Sequence, residues 1–170
     1  MAQEKAMTTK RDTILFCNAP TKVRDQRTLV FVYGTLMRGY GNHWHLDRAS
    51  FQGEATTRAT YRMKNVGYPY IFNCDGHPGG AQVRGEVFDL KGPDEADMLK
   101  SMDRLEGVAH GHYRRVKRRV RIDGDPKDYI AWVYEPMPRT WGEVPRSRYV
   151  QPGPDGLLSW ARTQSHRRVA

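Results

Sequence analysis

The sequence predicts one mixed α+β domain with a β-rich core, and three observations lead there. The run "TLVFVY" over residues 28–33 is short, continuous and rich in β-branched and aromatic residues, so it reads as a buried strand. The segment "GPDEADMLKSMDRLEG" carries the best helical period in the chain. The order of strand, helix, several strands, helix and hairpin does not repeat the regular unit of a doubly wound sheet. A chain of 170 residues has room for one core of ordinary size without disulfide or metal staples.

Residues 1–27 mix charged and small residues around one apolar patch, Ile14 to Cys17, and are expected to form a flexible extension or an edge strand outside the core. The folded domain is placed at 28–162. Its first strand is ended by Gly34, and "GNHWHLDRASF" then sets Trp44, Leu46 and Ala49 at near-helical spacing after Asn42, which predicts a short helix. "GEATTRATYRM" and "YIFN" read as short strands separated by a Gly-Tyr-Pro turn. "CDGHPGG" is a turn, and "AQVRGEVFDL" is the next strand, with Val83, Val87 and Phe88 in the core.

The helix over "GPDEADMLKSMDRLEG" has Pro93 in its first turn and Asp94, Glu95 and Asp97 facing the positive end of its dipole. Met98, Leu99, Met102 and Leu105 form its apolar stripe, and Gly107 stops it. "HYRRVKRRVRI" and "DYIAWVYEP" pair as a hairpin around "DGDPKD". Beyond Pro136, proline, glycine and charge dominate; "LLSWAR" is a short docking helix and 163–170 a frayed tail.

Two cysteines, Cys17 and Cys74, make no disulfide framework and no C-x-x-C pair, which predicts a reducing compartment. The N-terminus lacks the long apolar segment of a secretory signal and no apolar run approaches membrane-spanning length, so the expectation is a soluble, cytoplasmic protein without a membrane partner. The net charge of +9 attracts polyanions without naming one.

Two features point to chemistry. A strand ending in Tyr33-Gly34-Thr35-Leu36 and leading toward a helix leaves main-chain N–H groups unpaired, and these can grip a carboxylate or a polarised carbonyl oxygen. Gly34 lets the backbone approach a ligand. In "MDRLEG", Glu106 is the last residue before the stopping glycine, where the negative end of the helix dipole raises a carboxyl pKa and makes it a better base near neutrality.

With a glycine and an asparagine after Y-G-T-L, then Gly85-Glu86-Val87, then "LEG" and Tyr113-Arg114, the chain resembles the γ-glutamylcyclotransferase-like family over residues 29–135. The Y-G-T-L form looks more like its γ-glutamylamine cyclotransferase and plant avirulence-induced branch. The resemblance implies a compact mixed β-barrel with flanking helices and a cavity lined by the Y-G-T-L loop and the glutamate. It also implies release of 5-oxoproline from a small γ-glutamyl compound, with no metal or organic cofactor. Tyr33, Gly34, Thr35 and Leu36 match the substrate-gripping loop, Glu106 the general acid/base, and Tyr113 the tyrosine bordering the pocket. The segment "GVAHGH" before Tyr113 and the basic strand after it depart from the family pattern.

In that strand, "RRVKRRVR", alternation puts Arg115, Lys117, Arg119 and Arg121 on one face and Arg114 and Arg118 with the valines on the other. An edge strand that uses charge against aggregation is the plain reading. A non-catalytic module that engages nucleic acid or an acidic partner through residues 114–121 is the rival to the enzyme. His43-x-His45 and His110-x-His112 are poor metal pairs, and Cys74 in its turn has no activating neighbour.

Overall fold

Five strands close into a barrel in the computed structural model, which describes residues 27–74, 79–137 and 148–161. In chain order the elements are β1 (Leu29–Val32), β2 (Ser50–Thr57), β3 (Tyr61–Asn65), β4 (Pro69–Asn73), β5 (Arg84–Asp89), α1 (Glu95–Leu105), β6 (Tyr113–Ile122), β7 (Asp128–Pro136) and β8 (Tyr149–Val150). Around the barrel the strands run β1, β5, β2, β6, β7, and β4, β3 and β8 form a second, three-stranded sheet. The mixed α+β class is as expected from the sequence.

The apolar run that made β1 recognisable is fully used. All four of its residues are buried, and it lies antiparallel to β5 and parallel to β7, with Leu29 opposite Ala131 and Val30 opposite Trp132. That parallel pairing shuts the barrel. Val83, Val87 and Phe88 enter the core as predicted, and Tyr61, Met63 and Ile71 bring the inner face of the small sheet against it.

Helix α1 buries Met98 and Met102 and partly buries Leu99, but Leu105 is 39% exposed, so the apolar stripe is one residue shorter than its spacing predicts. Pro93 lies outside the helix, because Asp94 is the N-cap residue. The helix start is instead tied down by Arg48 to Asp94 at 2.7 Å and by the Thr28 hydroxyl donating to Glu95 at 2.8 Å. Gly107 takes the left-handed conformation, φ +61°, that ends the helix and turns the chain toward β6.

The helix expected after Asn42 is a single 3₁₀ turn, His43–Leu46. Leu46 is buried, whereas Trp44 is 60% exposed and stacks on the His45 ring at 3.6 Å, so the two do not share an apolar face. Near the C-terminus, "LLSWAR" docks, but not as the helix expected over its length: Leu158 forms a parallel β-bridge with Val83, only Trp160 and Ala161 are helical, Trp160 packs against Tyr40, and Arg162 lies outside the described residues. The expectations for residues 1–26, for 75–78 of the "CDGHPGG" turn and for 163–170 lie outside the described residues.

The hairpin of β6 and β7 forms in a register that opposes Arg114 to Glu135 and Arg121 to Asp128. Strand β6 is not an edge, which corrects the plain reading of its charge: it stands between β7 and the end of β2, where Val120–Ile122 pair with Ala55–Thr57. Acidic and aromatic neighbours make that position tolerable. Arg118 forks onto the Glu135 carboxylate at 2.7 and 2.8 Å, and Arg114 adds a third contact at 3.1 Å. Arg121 pairs with Asp128, Arg115 with Asp103, and Lys117 lies over the Trp132 ring.

Candidate active site

The turn after β1 is built so that its carbonyls are occupied and its N–H groups are not. Asn42 braces Thr35 twice, through its main-chain N–H to the Thr35 carbonyl at 3.1 Å and its side-chain amide to the Thr35 hydroxyl at 3.0 Å. The Met37 N–H donates to the Gly34 carbonyl, and His43 Nδ1 lies 3.0 Å from the Leu36 carbonyl. The N–H groups of Gly34, Thr35 and Leu36 have no acceptor among the described residues. This is the donor-rich turn anticipated from Y-G-T-L, and Asn42 supplies a physical reason for the asparagine that follows it.

Gly34 lines the cavity, and the structure gives a second reason for a glycine there. Its φ is not in the left-handed region, and a Cβ there would sit 2.6 Å from Pro69 Cγ and 2.9 Å from Pro69 Cδ. The residue is glycine because the head of β4 presses against the turn.

Glu106 caps the C-terminal end of α1 and lines the same cavity as the turn. Its carboxylate has no hydrogen-bond or ion-pair partner among the described residues. Burial pushes its pKa up from 4.5 to about 7. The direction is the one expected, but the cause is desolvation rather than the helix dipole.

The cavity encloses about 290 Å³ and brings Glu106 together with all five other predicted site residues, Tyr33, Gly34, Thr35, Leu36 and Tyr113. Tyr33 contributes its ring, since its hydroxyl is committed to the Tyr134 carbonyl at 2.7 Å. The Tyr134 hydroxyl donates in turn to Asp103 of α1 at 2.7 Å, and Arg115 holds the other oxygen of Asp103 at 3.0 Å. Through these contacts the helix bearing Glu106 is fastened to β7 and β1.

Tyr113 is buried and stacks on Tyr70 with ring centres 5.5 Å apart and planes 17° from parallel. Tyr70 in turn meets Tyr68 edge-on at 5.2 Å, and the two hydroxyls are 3.2 Å apart. Burial, followed by the Tyr68 hydrogen bond, pushes the Tyr70 phenol up to about 12. The sequence reading missed Tyr68, Tyr70 and Tyr134; the alternation of aromatics in "YPYIF" was the available signal for the first two.

His43 and His45 point their Nδ1 atoms at the Leu36 carbonyl and the Ser101 hydroxyl, consistent with structural roles. His112 lines the cavity rim beside Gly107, while His110 does not line it.

A profile of the family described as gamma-glutamyl cyclotransferase, AIG2-like, matches residues 30–152. The chain belongs to this family. A gamma-glutamylaminecyclotransferase from Homo sapiens is 31% identical over 76% of this chain and 94% of its own length. A relative in Arabidopsis thaliana is 36% identical over 52% of this chain, which spans about half of that protein, 48%. Among solved structures, an AIG2-like protein from Mus musculus aligns over 78% of this chain and 95% of its own with a TM-score of 0.54 and 25% identity. The γ-glutamyl cyclotransferases are enzymes, and the barrel with its flanking sheet and helix is the fold of their AIG2-like members.

Proposed function

We propose that this chain closes the glutamyl unit of a γ-glutamyl amine into 5-oxoproline and frees the amine, with Glu106 as general acid/base. The observation that carries the reading is a half-buried, unpartnered carboxylate whose pKa desolvation lifts to about 7, lining one cavity with three residues whose main-chain N–H groups have no acceptor among the described residues. In the ionised form Glu106 takes a proton from the α-amino group. That nitrogen bonds to the γ-carbonyl carbon, the N–H groups of the Y-G-T-L turn receive the developing oxyanion, and the amide C–N bond breaks as Glu106 returns the proton to the leaving amine. Atoms balance without water or a co-reactant, and the ring closure is intramolecular, so positioning supplies much of the rate.

The rival reading, a binding module built on residues 114–121, is less well supported. Arg114 and Arg118 share the Glu135 carboxylate, Arg115 and Arg121 have their own, and Lys117 lies over the Trp132 ring, which leaves Arg119 as the exposed charge of residues 114–121 with neither a carboxylate nor a ring partner among the described residues. A solvated, unpaired stripe would favour it.

The test is incubation with γ-glutamyl amines, γ-glutamyl-lysine and glutathione, with 5-oxoproline measured beside a Glu106→Gln control. Release that vanishes in the control supports the proposal. Undiminished release by the variant removes Glu106 from the chemistry, and no release by the folded protein sinks the reading.

A further inference from the structure

The donor turn after β1 contains one group that can face a ligand in either sense. Main-chain N–H groups only donate and carbonyls only accept, and the carbonyls of Gly34, Thr35 and Leu36 are taken by the Met37 N–H, the Asn42 N–H and the His43 ring. Since the Leu36 carbonyl can only accept, His43 Nδ1 carries the proton of that contact. Of the groups of Gly34, Thr35 and Leu36, only the Thr35 hydroxyl holds both a proton and lone pairs. Its orientation decides whether the turn offers the cavity a further donor or an acceptor.

Asn42 settles that orientation. Its side-chain amide donates to Thr35 Oγ1 at 3.0 Å, which fills a lone pair and leaves the hydroxyl proton to be given elsewhere. The main-chain N–H of Asn42, 3.1 Å from the Thr35 carbonyl, fixes the two residues against each other. Among the described residues the Thr35 hydroxyl has no acceptor of its own, and Thr35 and Asn42 both line the cavity with Glu106. A half-buried hydroxyl proton without an acceptor is unfavourable, and an acceptor oxygen arriving in the cavity satisfies it.

We infer that Asn42 is a positioning residue: by donating to Thr35 Oγ1 it commits the hydroxyl proton to the cavity, as a donor beside the N–H groups of the turn, for an acceptor oxygen of the glutamyl unit. This rests on the ring-closing reading above and adds to it a residue that acts through Thr35 and takes no part in the proton transfers.

The experiment measures 5-oxoproline release from the best substrate of the γ-glutamyl panel by the parent, Thr35→Val, Asn42→Asp and the double variant. Valine keeps the shape of threonine without the hydroxyl and is expected to lower kcat/KM about tenfold or more, the size of one hydrogen bond to a charged acceptor. Aspartate keeps the shape of asparagine but only accepts, so it draws the Thr35 proton away from the cavity at a similar loss. In the Thr35→Val background there is no proton to redirect, and the aspartate is expected to cost less than about threefold. Thr35→Ser recovers most of what Thr35→Val loses. If Asn42→Asp is as active as the parent, the amide is not the donor, and the inference falls while ring closure stands. An equal loss from Asn42→Asp in both backgrounds belongs to its added charge and overturns the inference as well. No 5-oxoproline from the folded parent overturns the ring-closing reading and this one together.

Discussion

Replacing Glu106 by glutamine is expected to stabilise the protein at about pH 8 and to leave it unchanged at about pH 4. The folded carboxyl has its pKa raised from 4.5 to about 7 by burial. Below pH 4.5 both folded and unfolded chains hold the proton, so the group contributes no difference. Between 4.5 and about 7 the unfolded chain has released the proton and the folded chain still binds it, so stability falls as pH rises. At about 1.4 kcal/mol per pH unit the loss reaches about 3 kcal/mol and is complete above pH 7. The cavity is open to solvent on one side, which makes that figure a ceiling.

Glutamine keeps the shape without the charge and so escapes the loss. For a chain of this size about 3 kcal/mol corresponds to a rise in Tm of about 6–10 °C. Urea titrations of both proteins at about pH 8 and pH 4 supply the measurement. A variant no more stable than the parent at pH 8 would refute the desolvation argument, and so would an equal gain at both pH values. A carboxylate kept at such a site despite its effect on stability is what an acid/base role requires.

The same group sets the pH profile: kcat/KM is expected to rise about tenfold per pH unit on the acid side and to level off above about 7. A flat profile across that range would remove Glu106 as the base. Gly34→Ala places a methyl group 2.6 Å from Pro69 Cγ, and the overpacking, about 1–3 kcal/mol, is expected to shift the donor turn and reduce kcat/KM at least tenfold. Adding Pro69→Ala relieves the clash and recovers part of the loss. Glu135→Gln removes the counter-charge of Arg118 and Arg114, which are themselves partly exposed, and denaturant titration is expected to show a loss of about 1–2 kcal/mol.

Local patterns were legible in the sequence wherever one element decided its own structure. The β1 run, the capped helix with its glycine stop and the β6–β7 hairpin needed no distant partner to be recognised. The parallel pairing of Leu29 with Ala131 joins strands about a hundred residues apart and leaves no local trace. The basic strand was read as an edge because its charges were counted without their partners. Laying the hairpin in register from its turn would have set Glu135 opposite Arg114 and Asp128 opposite Arg121.

Within the site, the residues carried by short motifs were found, because a strand stopped by a glycine turn and a glutamate at a helix end are both chain-local. Tyr68 and Tyr70 were not, since aromatics in and beside a Gly-Tyr-Pro turn look like any surface loop until Tyr113 comes across from β6 to stack on Tyr70. The cause of the Glu106 shift was also hidden, because burial depends on the whole barrel, whereas the dipole argument needs only the helix.

The contact between Pro69 and Gly34 makes one short stretch answerable for both halves of the cavity. Residues 68–70 carry two tyrosines of the cavity wall and, between them, the proline that presses on the donor turn. Lengthening or shortening the turn before β4 would therefore move the turn's N–H groups together with that wall. Exchange of the Tyr68 and Tyr70 side chains on a fixed backbone reshapes the wall and leaves the Pro69 contact in place. The lining of the cavity can thus drift by point substitution while the length of this stretch stays locked to the donor turn.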